Sequence, residues 1–153
     1  MSDSTGSPRP IIPALAPLHR GLSELGYPLI RFAAGAIMIP HGVQKFINPA
    51  MLKGVSGLLL KLGFTPTVPI FWFLAVIELF GGICVAIGFL TRPAAILLAI
   101  ELFVITFDVN LHNGYFVGTH GFETSLLWAL VFLGIAACGG GRLSIDRLIG
   151  REF

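Results

Sequence analysis

The stretch RFAAGAIMIPHGVQKF, residues 31–46, places proton-carrying side chains in an otherwise apolar run. Arg31 begins the stretch, and His41 and Lys45 lie close to its end. Imidazole groups act as general acids and bases, and ammonium groups stabilise negative charge that develops on an oxygen. Charged groups inside a bilayer are costly and usually face a bundle interior or a cavity. The stretch therefore predicts either buried ion pairs or a binding site.

Acidic side chains interrupt the other apolar runs in the same way. Glu101, Asp108 and His112 are spaced by seven and four residues, which places them on one face of a helix. Together with the histidine of the following loop, they make one end of the molecule rich in proton-binding groups. The candidate ligand-binding residues are His41, Lys45, Glu78, Asp108, His120 and Glu123.

Depth along the helices predicts which charges pair. A helix rises about 1.5 Å per residue, and side chains lean towards the N-terminus of their helix. Arg31 and Glu101 then form a structural ion pair in the half of the bundle nearer the termini. The pairing of Arg31 with Glu78 stays open, because the ends of the runs are defined only to within a few residues. The predicted cluster in the other half consists of His41, Lys45 and Glu78, with Glu123 nearby.

Metal and haem sites find little support in the sequence. Histidine and carboxylate side chains are suitable metal ligands, but their spacing is not diagnostic, so no metal site is predicted. Among the histidines only His41 lies within an apolar run, which argues against a bis-histidine haem. The only cysteines, Cys84 and Cys138, form neither a zinc-type pattern nor a haem-attachment motif.

Composition places the chain in a membrane. Of its 153 residues, 55% are hydrophobic and 12% are charged, and the mean hydropathy is +0.87. A soluble domain carries about 25% charged residues. The net charge of +2 is too small for a nucleic-acid-binding protein, so no nucleic-acid partner is predicted.

Four apolar runs are long enough to cross a bilayer, which takes about 20 residues. Between the first two, apolar residues recur at helical spacing, which predicts a short amphipathic helix in the interface, with a covering loop as the alternative. The predicted fold class is an all-α integral membrane four-helix bundle. The chain divides into a flexible proline-rich tail (1–22), a bundle (23–141) with spans at about 25–46, 68–90, 92–111 and 122–139, and an amphipathic tail (142–153).

Small residues predict where the helices approach closely, because close packing replaces the hydrophobic effect as the force between helices in lipid. The predicted contact positions are Gly35 and Gly42 in the first span, Gly82 and Ala86 in the second, and Gly134 and Cys138 in the fourth.

Basic residues predict the orientation. Arginines gather beside both termini, whereas the loop of residues 110–121 has no lysine or arginine. The positive-inside rule then places both termini in the cytoplasm, and the predicted location is the inner (plasma) membrane of a bacterium. In the C-terminal tail, Ser144 is predicted to cap a short helix whose arginines lie against anionic headgroups, which makes membrane lipid a predicted partner.

Three motifs together resemble the DoxX family of small four-helix membrane proteins. They are IRFAAGAIMIPHGVQKF, ELFGGICVAIGFLTRPAA and GFETSLLWALVFLGIAACGGGRLSID, and the resemblance covers residues 30–146. The positions that fall on family motifs are Arg31, His41, Gly42, Lys45, Glu78, Gly81, Gly82, Glu123, Gly140, Ser144 and Asp146. The family name is linked to a subunit of a thiosulfate- and quinone-linked oxidoreductase, so the resemblance implies a quinone or sulfur connection.

Two functions are consistent with these features, and catalysis itself is left open. In the first, the chain is a subunit that stabilises or assembles a larger membrane complex, or associates with copies of itself. In the second, it binds a quinone or a similar lipophilic molecule in an outer-leaflet pocket lined by His41, Lys45, Glu78 and Glu123. No motif for a built-in redox cofactor is present, so a quinone is the one cofactor under consideration.

Overall fold

The computed structural model describes residues 11–152, and within that range every regular element is a helix. Two short 3₁₀ turns, Pro13–Leu15 and Val117–Thr119, accompany the longer helices. In chain order, the helices are α1 (Ala16–Ile47), α2 (Pro49–Lys61), α3 (Thr67–Ile87), α4 (Thr91–Asn113), α5 (Glu123–Cys138) and α6 (Ile145–Leu148).

Three of these helices are long and apolar enough to cross a membrane: Gly21–Ile47 within α1, α3 and α4. Their mean hydropathies are 1.2, 2.4 and 2.0, respectively. The fourth apolar helix, α5, is shorter, at 16 residues. It lies antiparallel to α4, because Arg92 at one end bonds Ala136 and Asn110 at the other end bonds Ser125. The predicted integral membrane helical bundle is confirmed.

The predicted short amphipathic helix is also present as α2. Its first turn is capped by the side chain of Asn48, whose Oδ1 accepts a hydrogen bond of 3.0 Å from the Ala50 amide. One apolar side chain of α2, Leu59, is buried against the bundle, whereas its neighbour Leu60 is exposed. A helix with one face buried and the other exposed is the amphipathic arrangement that the spacing predicted.

The flexible tail predicted for residues 1–22 is wrong where the structure describes it beyond residue 15, because α1 already begins at Ala16. Pro17 lies in the first helical turn, where the missing amide hydrogen has no partner to lose. The proline-rich composition therefore did not prevent a helix here. Residues 1–10 of the predicted tail lie outside the described residues.

The two ends of the bundle are called the tail end and the loop end. The tail end contains the turn between α3 and α4, the end of α5 and residues 139–152. The loop end contains α2 and the loop between α4 and α5. Because four helices cross the bundle, the start of α1 and the C-terminal segment lie at the same end.

Glycines on α1 bring it against α3, as predicted. A methyl group at Gly42 would overlap the backbone of Leu79, and one at Gly35 would overlap the backbone at Ala86. The fourth-span prediction is wrong for Gly134, which is exposed and has no atom within 4 Å of an added methyl group among the described residues. Gly134 lies on the outer face of α5, away from its neighbours.

Replacing Gly42 by Ala should destabilise the bundle by about 1–3 kcal/mol, because overpacking forces the two backbones apart. The same change at Gly134 is the matched control, since it adds a methyl group in open space on a helix. It should leave stability unchanged or raise it slightly, because alanine favours the helix. Thermal unfolding in detergent, followed by circular dichroism, measures both. Equal melting temperatures for the two variants would contradict the close contact.

Candidate functional site

Arg31 lies at the tail end, buried to 3% exposure, and binds backbone carbonyls. Its Nη1 donates to the carbonyl oxygens of Val85 at 2.5 Å and Ala86 at 2.9 Å, and its Nη2 donates to Leu143 at 2.5 Å. The last carbonyls of a helix have no partner within the helix, and a cation is favourable there. Arg31 therefore caps the end of α3 and ties down the segment after α5.

The predicted ion pair between Arg31 and Glu101 is wrong. Arg31 leans towards the N-terminus of α1, which is the tail end, and its partners there are carbonyl oxygens. Glu101 lies ten residues after the start of α4, about 15 Å from the tail end, which is too far for the Arg31 side chain to reach. The alternative pairing of Arg31 with Glu78 is excluded for the same reason.

Asp146 provides the complementary cap. It is 2% exposed, and its carboxylate accepts hydrogen bonds from the amides of Leu90 at 2.8 Å and Thr91 at 3.0 Å, and from the Thr91 hydroxyl at 2.7 Å. These donors lie at the start of α4, where a carboxylate is favourable. The predicted cap is also present: Ser144 Oγ accepts from the Arg147 amide at 3.2 Å.

A third charged residue completes the tail end. Arg92 Nη1 donates to Ala136 at 3.0 Å and Ala137 at 2.8 Å, the last carbonyls of α5. Its Nη2 also pairs with Glu152 at 3.3 Å. The buried charges of this end thus satisfy helix termini and hold the C-terminal segment, which is a structural role.

Lys45 and Glu78 form an ion pair in the half of the bundle nearer the loop end, as predicted. The Lys45 and Glu78 side chains are 10% and 6% exposed. Glu101, itself 7% exposed, lies in the wall of the same cavity as both of them. We call Lys45, Glu78 and Glu101 the Lys45 cluster.

Helix geometry explains why the two glutamates meet. Glu78 is nine residues before the end of α3 at Ile87, and Glu101 is ten residues after the start of α4 at Thr91. Because α3 and α4 form a hairpin, both lie about 14–15 Å from the turn that joins them. The sequence predicted Glu101 as the partner of Arg31 and not as a member of this cluster, although the equal spacing of Glu78 and Glu101 from the turn indicates that they meet.

The helix around Glu78 is irregular. Residues Ile77–Gly81 form a π-helical turn within α3, and Ile105–Asn110 form another within α4. Such turns are rare and occur frequently at functional sites, because the inserted residue turns a side chain towards a position that a regular helix would not reach.

A cavity of about 400 Å³ adjoins the Lys45 cluster. Three of its lining residues, Phe73, Leu97 and Ile100, are 57%, 41% and 54% exposed on the bundle surface. The cavity therefore opens sideways, where the hydrocarbon of the bilayer surrounds the bundle. Its apolar walls come from α2, the segment that follows it, α3 and α4, and include Val55, Leu58, Leu59, Leu62, Phe64, Ile70, Leu74, Ile77, Val104, Ile105 and Val109.

Glu101 is the unsatisfied group of this cavity. Its Oε2 is buried and has no hydrogen-bond partner among the residues described. An unsatisfied buried polar atom costs about 1–3 kcal/mol, so each instance in a folded protein requires an explanation. A proton shared with Glu78, or a bound molecule, would provide one.

Four predicted site residues lie apart from the cluster. His41, Asp108 and His120 are exposed, and none of them lines the cavity. Glu123 accepts a hydrogen bond of 3.2 Å from the Val117 amide, so it organises the loop before α5. No group of three His, Cys, Asp or Glu side chains in the described part of the chain is placed to hold a metal ion.

Comparison with known proteins identifies the family. The DoxX family pattern matches residues 26–111, more than half of the chain. The chain belongs to the DoxX family. The matched region contains Arg31 and the whole Lys45 cluster, whereas Glu123 and Asp146 lie beyond it.

Relatives extend the likeness over almost the whole chain. An "Uncharacterized membrane protein Rv3486" of Mycobacterium tuberculosis is 32% identical and covers 97% of this chain and 94% of its own. The "Putative oxidoreductase CatD" of Bacillus subtilis is 31% identical, with 82% and 88% covered. An "Uncharacterized protein" of Haemophilus influenzae is 29% identical, with 76% and 85% covered. No solved structure matches the chain.

Proposed function

We propose that this DoxX protein binds a quinone in the cavity beside the Lys45 cluster, as the membrane subunit of a larger redox complex. The observation that supports this proposal is a buried ion pair and an unsatisfied carboxyl group in the wall of an apolar cavity that opens towards lipid. A ligand that enters through that opening comes from the bilayer, so it must be lipophilic. The printed name of the Bacillus subtilis relative supports a redox setting.

The residues present fit a quinone. Ligand cavities are typically about 300–1,000 Å³, mostly apolar, with a few polar groups that orient the ligand. The apolar walls suit the ring and the first part of an isoprenoid tail, and Lys45 and Glu101 can hold a carbonyl oxygen of the ring. A bound quinone supplies two-electron, two-proton chemistry, with electrons from a partner subunit. This chain orients the ring, excludes water and holds a proton.

Binding can be tested by fluorescence with the protein in lipid nanodiscs and decylubiquinone as the probe. Trp72, whose ring lies 5.5 Å from that of Phe46 and 5.2 Å from that of Phe71, precedes a cavity residue and reports on the site. We expect saturable quenching that Trp72→Phe largely removes. Ile100→Phe, at the cavity opening, should weaken binding about tenfold, whereas Leu127→Phe, equally exposed on α5, should not. Quenching that never saturates would overturn the proposal.

A second candidate is a non-catalytic subunit that assembles a complex or a homo-oligomer. The observation that favours it is Asp108, a carboxylate exposed on the outer face of the spanning helix α4. Charged groups in such helices rarely face lipid, so a neighbouring protein would cover it. Purification in mild detergent followed by lipid extraction separates the two candidates. A stoichiometric partner without any quinone would favour the second.

We also propose that both termini lie in the cytoplasm of a bacterium, with the loop end outside the inner membrane, on the positive-inside rule. Single cysteines at Leu148 and Phe116, which are 85% and 69% exposed, test this in a background without Cys84 and Cys138. An impermeant maleimide on intact cells should label the Phe116 position and leave the Leu148 position unlabelled. The reverse pattern would show the opposite orientation.

A further inference from the structure

Charge balance at the Lys45 cluster restricts its protonation. The ionisable groups that line the cavity are one ammonium from α1, Lys45, and two carboxyls, Glu78 from α3 and Glu101 from α4. Every residue that α2 contributes is apolar. Two carboxyl groups in the wall of one apolar cavity repel one another when both are ionised. The cluster is electrically neutral only when it keeps one proton.

The hydrogen-bond partners of the two carboxyl groups indicate which of them carries that proton. Glu78 accepts the ammonium of Lys45, which favours its ionised form. Glu101 Oε2 has no hydrogen-bond partner in the described part of the chain, and Glu78 is the other carboxyl group in the wall of the same cavity. Two neighbouring carboxyl groups without a further donor are satisfied when one of them carries a proton that the other accepts.

We propose that Glu101 is a neutral carboxylic acid that shares one proton with Glu78, and that it gives this proton to the head group bound in the cavity. The identity of that head group rests on the function proposed above. Once an oxygen of the bound quinone carries negative charge, the Glu101 O–H bond breaks and a new O–H bond forms on that oxygen, so the negative charge passes to the Glu101 carboxylate. The cluster then takes up one proton from the solvent at the loop end, which restores its neutral state.

This arrangement selects the ligand by its head group. A neutral acid and an ammonium that is already paired can donate to a carbonyl or phenol oxygen. An acidic head group would add a negative charge beside two carboxyls, and a cationic one would compete with Lys45. The Lys45 cluster therefore suits lipophilic molecules with neutral, hydrogen-bond-accepting oxygen atoms.

Infrared spectroscopy tests the proton directly, on the full chain in lipid vesicles at neutral pH. The wild type should show the C=O stretch of a carboxylic acid, shifted in heavy water. Glu101→Gln should abolish this band, and Glu123→Gln, which alters a carboxyl group outside the cluster, should retain it. If Glu101→Gln does not fold, the wild type labelled with ¹³C-glutamate serves instead, where the band must move to lower frequency. A wild type without the band, or a band that survives Glu101→Gln, would overturn the inference.

Addition of decylubiquinone separates this inference from the proposed function. If both hold, the band shifts on binding, and Glu101→Leu weakens binding about tenfold because the hydrogen bond to the ring is lost. If the carboxylic acid band is present but no quinone binds, the proposed ligand is wrong and the shared proton is supported. If quinone binding is saturable but the band is absent, the shared proton is wrong and the proposed ligand is supported.

Discussion

We expect Arg31→Gln to lower the stability of the bundle by about 3 kcal/mol or more. The guanidinium group makes three hydrogen bonds to carbonyl oxygens of Val85, Ala86 and Leu143. A hydrogen bond to a charged group contributes about 1.5–3 kcal/mol, and glutamine is too short to reach all three. The carbonyls of Ala86 and Leu143 would lose this donor, and that of Val85 would keep only its hydrogen bond of 3.2 Å from the Gly88 amide.

Arg142→Gln is the matched control for this prediction. Arg142 is paired with Glu24 at 2.7 Å, but the side chains are 62% and 57% exposed. Exposed pairs contribute about 0–1 kcal/mol, so this variant should unfold close to the wild type. Thermal unfolding in detergent compares the stability of the two variants. The stability of Arg31→Lys should lie between those of the wild type and Arg31→Gln, because lysine keeps the positive charge but lacks the planar fork of donors. Equal loss at both arginines would show that Arg31 does not cap α3.

The tail end also explains several positions within the sequence motifs that carry the resemblance. Gly88, with φ of +74°, has a backbone that side chains rarely adopt, and a methyl group there would meet the side chains of Ser144 and Arg31. Gly140 likewise lies against Ser144 and Asp146. The glycine-rich turn and the Ser and Asp that follow it therefore form a fitted cap on the helix ends. Their role is to fix the bundle, and the candidate ligand site lies deeper, at the Lys45 cluster.

The fold was predictable because the membrane imposes strict physical limits. Runs of about 20 apolar residues must be helical, since the bilayer interior offers no partner for free backbone groups. The start of α1 was not predicted, because the effect of proline depends on its position within the first turn. At Pro17 the ring is tolerated, and the composition of the segment does not reveal that.

The site was predictable only in part, because rotation about the helix axis decides which side chains meet. Lys45 lies three residues after Gly42 and seven after Met38, so it shares the face that packs against α3. His41 is one residue before Gly42, about 100° away on the helix, and it is exposed. Depth placed His41 and Lys45 together, and they are only about 40° apart around the helix, but His41 is the further of the two from Gly42 and falls outside the packed face. For Glu101, distance from the shared turn was the better guide.

The prediction with the largest effect on the site concerns Lys45→Met. Removal of the ammonium leaves Glu78 buried without its partner, which costs about 3–5 kcal/mol when the carboxylate cannot be neutralised. Methionine preserves most of the volume of the lysine side chain, so the loss of stability reflects the loss of the positive charge. Quinone quenching should disappear in the same variant, because both the cation and the local charge balance are gone. Lys53→Met, on the exposed part of α2, is the control and should change neither measurement.

A double variant, Lys45→Met with Glu78→Gln, separates stability from binding. It removes the pair as a whole and strands no charge, so most of the lost stability should return, as it does when buried ion pairs are replaced by neutral groups. Quinone binding should stay absent, because Glu101 alone cannot supply both the hydrogen bond and the charge balance. Recovery of binding together with stability would mean that the ion pair only supports the fold. Stability that stays low would mean that Lys45 contributes through packing, since a double-mutant cycle then shows no coupling between the two charges.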